Sequence, residues 1–175
     1  KFNVNGDTTA NKVIIDGNER RIFDIKKTSN NNYIACGRYN IDNALIIKFN
    51  QSGDTLWHKT FLTPYVKLLY SIEEGIDGGY IAVGRNQNFF NDPIKLFIIK
   101  VNENGDILWQ REYGTNISGI VVNKVNSNYI ICGQRSITKI DILGNIIDSF
   151  QVDSLTLLEQ VKDMKVLTPN RYVYT

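Results

Sequence analysis

Apolar residues in this chain fall in short runs separated by clusters of asparagine, glycine and aspartate. The run Lys67–Glu73 alternates apolar and polar positions, as a half-buried strand does. Tyr80–Gly84 is almost continuously apolar and reads as a strand covered on both faces. Between them, Ile76–Gly79 is a turn whose glycines can take positive φ. A loop follows over Arg85–Pro93, where Pro93 discourages pairing, then a third strand at Lys95–Val101. Asn102–Asp106 turns that strand into an outer one, Ile107–Tyr113. The same four-part pattern fits Arg21–Lys27, Tyr33–Gly37, Ala44–Phe49 and Thr55–Phe61. It fits again over Gly119–Val125, Tyr129–Gly133, Ser136–Ile140 and Ile146–Val152. Ser154–Val166 is the one stretch with helical spacing, carried by Leu155, Leu158, Val161 and Met164. It reads as a short helix or as an outer strand running into the next inner one.

The pattern is a repeat written in two words. Lys48–Trp57 (KFNQSGDTLW) returns as Lys100–Trp109 (KVNENGDILW), with weaker copies at Lys1–Asp7 and Lys139–Asn145. In phase with it run Tyr33–Gly37, Tyr80–Gly84, Tyr129–Gly133 and a shorter Tyr172–Thr175. A period of roughly 40–50 residues built from short strands predicts an all-β fold, a β-propeller of four-stranded blades. The predicted divisions are 1–18 for the end of one blade, 19–62, 63–115 and 116–153 for three blades, and 154–175 for the start of another. Because the copies begin and stop in mid-blade, the expectation is part of a larger propeller. Its open ends would meet remaining blades or a partner chain, with a four-bladed ring closed by its own ends as the alternative.

Composition narrows the function classes. A net charge of +2, with no block of basic residues, argues against a nucleic-acid partner. No apolar run approaches the ~20 residues of a spanning helix, so no membrane insertion is expected.

The candidate chemistry is thin. Trp57 and Trp109 hold the same place in successive copies, and a ring that recurs in phase with the fold docks one blade on the next. In the third copy Ile147 stands at or beside that place, which predicts a weaker interface. Asn102–Asp106 has the look of a calcium loop, but Arg111 stands where such a loop needs glutamate and Ser52 and Leu143 interrupt the ligand set. The residues favour a hairpin with glycine left-handed beside a bulge, and no metal. Cys36 and Cys132 share a slot with Val83, so both read as buried free thiols, too far apart in the blade order to bridge. His58 is the only histidine, and Gln110 replaces it in the next copy, which fits an exposed strand residue. No nucleophile–base pair, carboxylate pair or phosphate-binding glycine loop is spelled out, so no catalytic residue and no cofactor are assigned.

Residues 78–84 (GGYIAVG) and 96–114 (LFIIKVNENGDILWQREYG) resemble the propeller repeats of many secreted and surface proteins of Bacteroidota. The resemblance covers most of the chain and is clearest over residues 67–114. It implies a place outside the cell or on its outer surface, often reached by type IX secretion, and no known activity. The Gly-Asp-x-Leu-Trp turn is more distantly similar to quinoprotein propeller repeats. Their alanine-leucine-aspartate pattern is missing here, so no quinone binding is carried over. Residues and resemblance together point to a non-catalytic binding or interaction module, its partner a protein or glycan held at the propeller face. The alternative is a carbohydrate-binding or carbohydrate-active propeller, a lectin or lyase. The loops Arg38–Asn43 and Arg85–Pro93 are the variable surface, with Asn40, Asn88, Phe89, Phe90 and Asn91 as contact residues; Phe89-Phe90 is either a recognition patch or folded under its loop.

Overall fold

A computed structural model describes residues 17–62, 66–87, 92–114, 118–133, 136–151, 164–168 and 171–174, the last two segments and Val66 as backbone only. Among these residues every regular element is a strand. The first sheet comprises β1 (Arg20–Lys27), β2 (Tyr33–Tyr39), β3 (Asn43–Phe49) and β4 (Thr55–Phe61). The second comprises β5 (Val66–Glu74), β6 (Tyr80–Gln87), β7 (Lys95–Val101) and β8 (Ile107–Tyr113). The third comprises β9 (Gly119–Val125), β10 (Asn128–Gly133), β11 (Ser136–Ile140) and β12 (Ile146–Gln151). Each is a four-stranded antiparallel meander in chain order. A two-stranded hairpin, β13 (Met164–Thr168) with β14 (Arg171–Tyr174), follows. Met164 therefore lies on a strand; the rest of the stretch with helical spacing, 154–163, is outside the described residues, as are 1–16.

Two loops are shorter than their sequence implies. Pairing continues past the repeat glycine, Arg38 opposite Ala44 and Arg85 opposite Leu96, so β2 runs to Tyr39 and β6 to Gln87. The first loop is thereby cut to residues 40–42.

The glycine of the second word has a steric cause. In all three sheets the inner strand bulges opposite it, skipping Phe23, Tyr70 and Ile120 in the pairing of β1, β5 and β9. The bulge folds the inner strand across the glycine. A Cβ on Gly37 or Gly84 would stand 1.8 Å from a carbonyl oxygen of Arg21 or Leu68, and one on Gly133 would stand 2.4 Å from that of Ser118.

The sheets pack face to face in sequence. The first and second sheets each have a forward face that meets the next sheet. Ile34, Cys36, Ala44 and Ile46 of the first meet Leu69, Ile72, Tyr80, Ala82, Phe97 and Ile99 of the second, all at 0% exposure. Ile81, Val83 and Ile98 of the second likewise meet Val122, Tyr129 and Ile131 of the third. Each fully buried aliphatic or aromatic side chain contributes about 1.5–3 kcal/mol. An exposed ion pair such as Lys59–Asp106, at 3.1 Å, contributes about 0–1 kcal/mol. Apolar burial therefore holds the sheets together, and the polar contacts set how they align.

Those contacts recur with the repeat. Along the inner edge, Asp24 Oδ2 accepts from Ser71 Oγ (3.1 Å) and Ile72 N (3.0 Å), and Ser71 Oγ accepts from Val122 N (3.3 Å). The inner strand's outward N–H groups are thus satisfied by the preceding sheet. Near the turns, the repeat lysines bury their stems and bring the charge to an acid at the rim. Lys48 Nζ lies 2.5 Å from Glu103 Oε2, and Lys100 Nζ lies 2.7 Å from Asp77 Oδ1 and donates to Gly78 O. Burial pushes the Glu103 carboxyl up, but hydrogen bonds from Lys48 and Tyr80 outweigh it and hold it below its ordinary value.

Candidate functional site

The two ends of the sheets differ in what their residues are occupied with. At one end lie the turns of the first word, and their side chains serve packing. Trp57 Nε1 donates to Glu103 O (3.0 Å) in the second sheet, and Trp109 Nε1 donates to Ile142 O (3.2 Å) in the third. Each half-buried ring lies on the glycine of the next turn. A Cβ on Gly105 would stand 2.9 Å from the Trp57 ring, and one on Gly144 would stand 3.0 Å from the Trp109 ring. The tryptophan of one copy is therefore seated on the glycine of the next. Lys139 pairs with Asp148 as Lys48 does with Trp57 and Lys100 with Trp109, so the third copy carries Asp148, not Ile147, in the tryptophan place. The same bulge lies before this place in all three sheets, skipping Leu56, Leu108 and Ile147, so Ile147 stands beside the tryptophan place.

The turns close on themselves. Asn102 Oδ1 accepts from Asn104 N and Asp106 N, both at 2.9 Å, and its Nδ2 donates to Asp106 Oδ2 at 3.2 Å. Asn50 and Asp54 repeat this pattern. In the third turn the residue types are exchanged: Asn145 donates to Asp141 Oδ2 at 2.9 Å. Side chains that bond each other this way are a hairpin lock and form no ion cradle. Among the described residues no group of three or more His, Cys, Asp or Glu could hold a metal. Asn102→Asp alone sets two carboxylates against each other and is expected to destabilise by about 1–2 kcal/mol. Adding Asp106→Asn recreates the third turn and is expected to restore most of the loss in denaturant melts. A double variant no better than the single one overturns this pairing.

The opposite end carries polar groups that packing leaves over. Arg38 and Arg85 each follow the repeat glycine. Arg38 Nη2 lies 2.7 Å from Glu19 Oε1, which also takes Arg21 Nε at 2.8 Å. Hydrogen bonds from Arg38 and Arg21 hold Glu19 below its ordinary value. Yet, among the described residues, the buried Nε atoms of Arg38 and Arg85 find no hydrogen-bond partner, which native structures rarely leave unexplained. Beside them, the bulge residues Phe23 and Tyr70 bring their rings to 5.5 Å across the first two sheets. Burial raises the Tyr70 hydroxyl's pKa, and the nearby charge of Arg85 partly offsets the rise. Further out, Glu112 Oε1 accepts from Asn86 Nδ2 at 2.7 Å and lies 3.7 Å from Lys67 Nζ. Guanidinium groups beside aromatic rings suit carboxylate-bearing or hydroxyl-rich ligands.

Of the contact residues read from sequence, Asn40 is at this end. It is exposed and left-handed (φ 52°), with its N–H donated to Glu19 O at 2.7 Å. Asn88, Phe89, Phe90 and Asn91 lie outside the described residues. Cys36 and Cys132 are free and buried. The Cys36 thiol faces Leu69 O at 3.6 Å and its pKa is driven up by burial, then by Asp24; burial pushes Cys132 up to about 11. His58 is exposed on β4. Sequence reading passed over Arg38, Arg85, Phe23 and Tyr70. The recurring Gly-Arg pair at 37–38 and 84–85 was the available signal for the arginines.

The fold is similar to the crystal structure of a protein of unknown function from Bacteroides caccae. The match has a TM-score of 0.58 at 15% identity, over 85% of this chain and 52% of that one. This chain thus spans about half the length of that protein, and at such identity the likeness shows the fold alone. No family model and no curated protein matches the chain.

Proposed function

We propose that the sheets are blades of a β-propeller serving as a non-catalytic binding module outside a bacterial cell or on its surface. The contact surface in this reading is the end that carries Arg38, Arg85, Phe23, Tyr70 and Asn40. One observation carries it: two blade-equivalent arginines at that end keep buried Nε donors unbonded, next to paired aromatic rings. The other end, by contrast, spends its repeated residues on seating tryptophans. The extracellular part of the reading draws on the resemblance of the repeat to secreted and surface propellers. The ligand is a glycan or protein surface offering carboxylates or dense hydroxyls.

The test screens the chain and its Arg38→Ala/Arg85→Ala variant against a glycan array and against surface-protein extracts. Binding that weakens at least about tenfold in the variant, near 1.4 kcal/mol, supports the reading. Equal binding by both proteins moves the contact surface elsewhere and overturns it. Turnover of a bound saccharide would replace it with the carbohydrate-active alternative.

A further inference from the structure

The two equivalent arginines are not equally provided for. Arg38 lies opposite Arg21 on the inner strand, and the carboxylate of Glu19 joins them. Its Oε1 takes Arg38 Nη2 at 2.7 Å and Arg21 Nε at 2.8 Å. By the same register Arg85 lies opposite Leu68, so leucine stands where Arg21 does. Two positions further along, Asn40 donates to Glu19 O, and the matching position of β6, Gln87, pairs with Val66. Valine therefore takes the place of Glu19. The second sheet carries the arginine without the acid that neutralises it.

No other described acid makes up the difference. Among the described residues Arg85 forms no ion pair, and its buried Nε has no hydrogen-bond partner. Glu112 on β8 is engaged by Asn86, Lys67 and Lys95. Segments 63–65, 88–91, 115–117 and 134–135, which flank or interrupt the second and third sheets outside the described residues, contain no aspartate or glutamate. A guanidinium partly withdrawn from water without a counter-charge is costly, and a bound anion removes that cost.

The rings at this end narrow the class of anion. Arg85 lies close enough to Tyr70 for its charge to act on the phenol. The Tyr70 ring in turn meets Phe23, itself 44% exposed, at 5.5 Å. A uronic acid matches this arrangement, because one rigid pyranose carries both a carboxylate for the guanidinium and an apolar C–H face for the rings. An acidic peptide side chain brings the same carboxylate on a flexible stem, without that face, and loses more rotamer freedom when held.

We infer that Arg85 seats the carboxylate of a uronate-bearing glycan whose sugar ring lies on Tyr70 and Phe23, and that Glu19 holds the ligand's place on Arg38. This assignment rests on the reading of this end as the contact surface. It adds the charge of the ligand, the arginine that takes it and the reason the equivalent arginine does not.

The test is calorimetric titration of the full chain with oligomers of galacturonate, glucuronate and mannuronate, each beside its methyl ester. At least one uronate oligomer is expected to bind at about one site per chain, and its ester at least about tenfold more weakly. Arg85→Met should weaken the acid at least about tenfold. Its Tm should match or exceed the parent's, since the variant removes a charge that the fold leaves unpaired. Glu19→Ala should raise the count to about two sites by vacating Arg38. The inference is overturned if no uronate binds, if an ester binds as tightly as its acid, or if Glu19→Ala gains no site. A glutamate oligopeptide that competes at equal concentration also overturns it, in favour of a protein partner. If glycan binding is lost in Arg38→Ala/Arg85→Ala yet survives in Arg85→Met, the face remains the contact surface and this assignment alone falls.

Discussion

Gly84→Ala is expected to abolish the cooperative melt of this protein. The added Cβ would stand 1.8 Å from the Leu68 carbonyl oxygen, 2.8 Å from its carbon and 2.9 Å from the Leu69 Cα. All three are backbone atoms of a bulge held by pairing on either side, so none can swing away as a side-chain tip could. Gly84 sits on β6, inside the sheet that packs against both neighbours, and Leu69 and Phe97 beside it are fully buried. Moving the bulge would disturb that core. We expect a loss above about 4 kcal/mol, a large part of the roughly 5–15 kcal/mol available to a domain. Gly78→Ala is the control. Among the described residues nothing lies within 4 Å of a Cβ built there, and only its φ of +86° penalises a side chain, by about 1–2 kcal/mol. Circular-dichroism melts of the two variants make the comparison. A Gly84→Ala protein that melts within about 1 kcal/mol of the parent would show that the bulge is not rigid.

This glycine marks how far the sequence could be read. Alternation of apolar and polar positions located the twelve strands of the three sheets, and the repeat gave their grouping in fours. It showed that a glycine recurs after Tyr-Ile-x-x, but not why. A bulge is a property of two paired strands: Phe23 and Tyr70 look like ordinary members of an alternating run until their partners on β2 and β6 are known. The strand ends beyond Gly37 and Gly84 were hidden for a related reason. Arginine and asparagine signal a loop by composition, yet Arg38 and Arg85 stay in register because the facing strand still offers partners.

The candidate site divides along the same line. Residues that serve packing repeat with the fold and were legible: Trp57 and Trp109 recur in phase, and the slot shared by Cys36, Val83 and Cys132 is apolar in each copy. The exchange of asparagine and aspartate between Asn102/Asp106 and Asp141/Asn145 was also written in the sequence. Its meaning appears only when the two side chains are seen bonded to each other. Arg38 and Arg85 were not legible as site residues. An arginine gives no sign in sequence that its Nε is buried without an acceptor, and that condition comes from three-dimensional packing alone.

Trp57→Ala should cost more than Trp109→Ala, and both should cost more than any exposed strand residue. A fully buried aromatic emptied to alanine costs about 3–5 kcal/mol; both rings are half-buried, which brings the expectation to about 2–4 kcal/mol. The order follows from their surroundings. Trp57 lies 6.1 Å from the Tyr80 ring, whose hydroxyl donates to Glu103, the residue that also pairs with Lys48 and accepts the indole N–H on its carbonyl. Removing Trp57 therefore opens the buried Lys48 to water beside its rim partner Glu103, as well as emptying the seat over Gly105. Among the described residues Trp109 has no such ring partner; its indole meets the Arg111 guanidinium at 5.7 Å and the Ile142 carbonyl. Trp57→Phe separates the two contributions. It keeps a smaller ring near Gly105 but loses the hydrogen bond to Glu103 O and the part of the indole contact a phenyl cannot replace, so about 1–2 kcal/mol should be lost, less than in Trp57→Ala. Chemical denaturation of the three variants gives these differences from the shift in midpoint at constant slope. If Trp57→Ala melts with its parent, the ring is not holding the first two sheets together, and an aromatic on the outer strand of a sheet would have to be explained as a ligand contact.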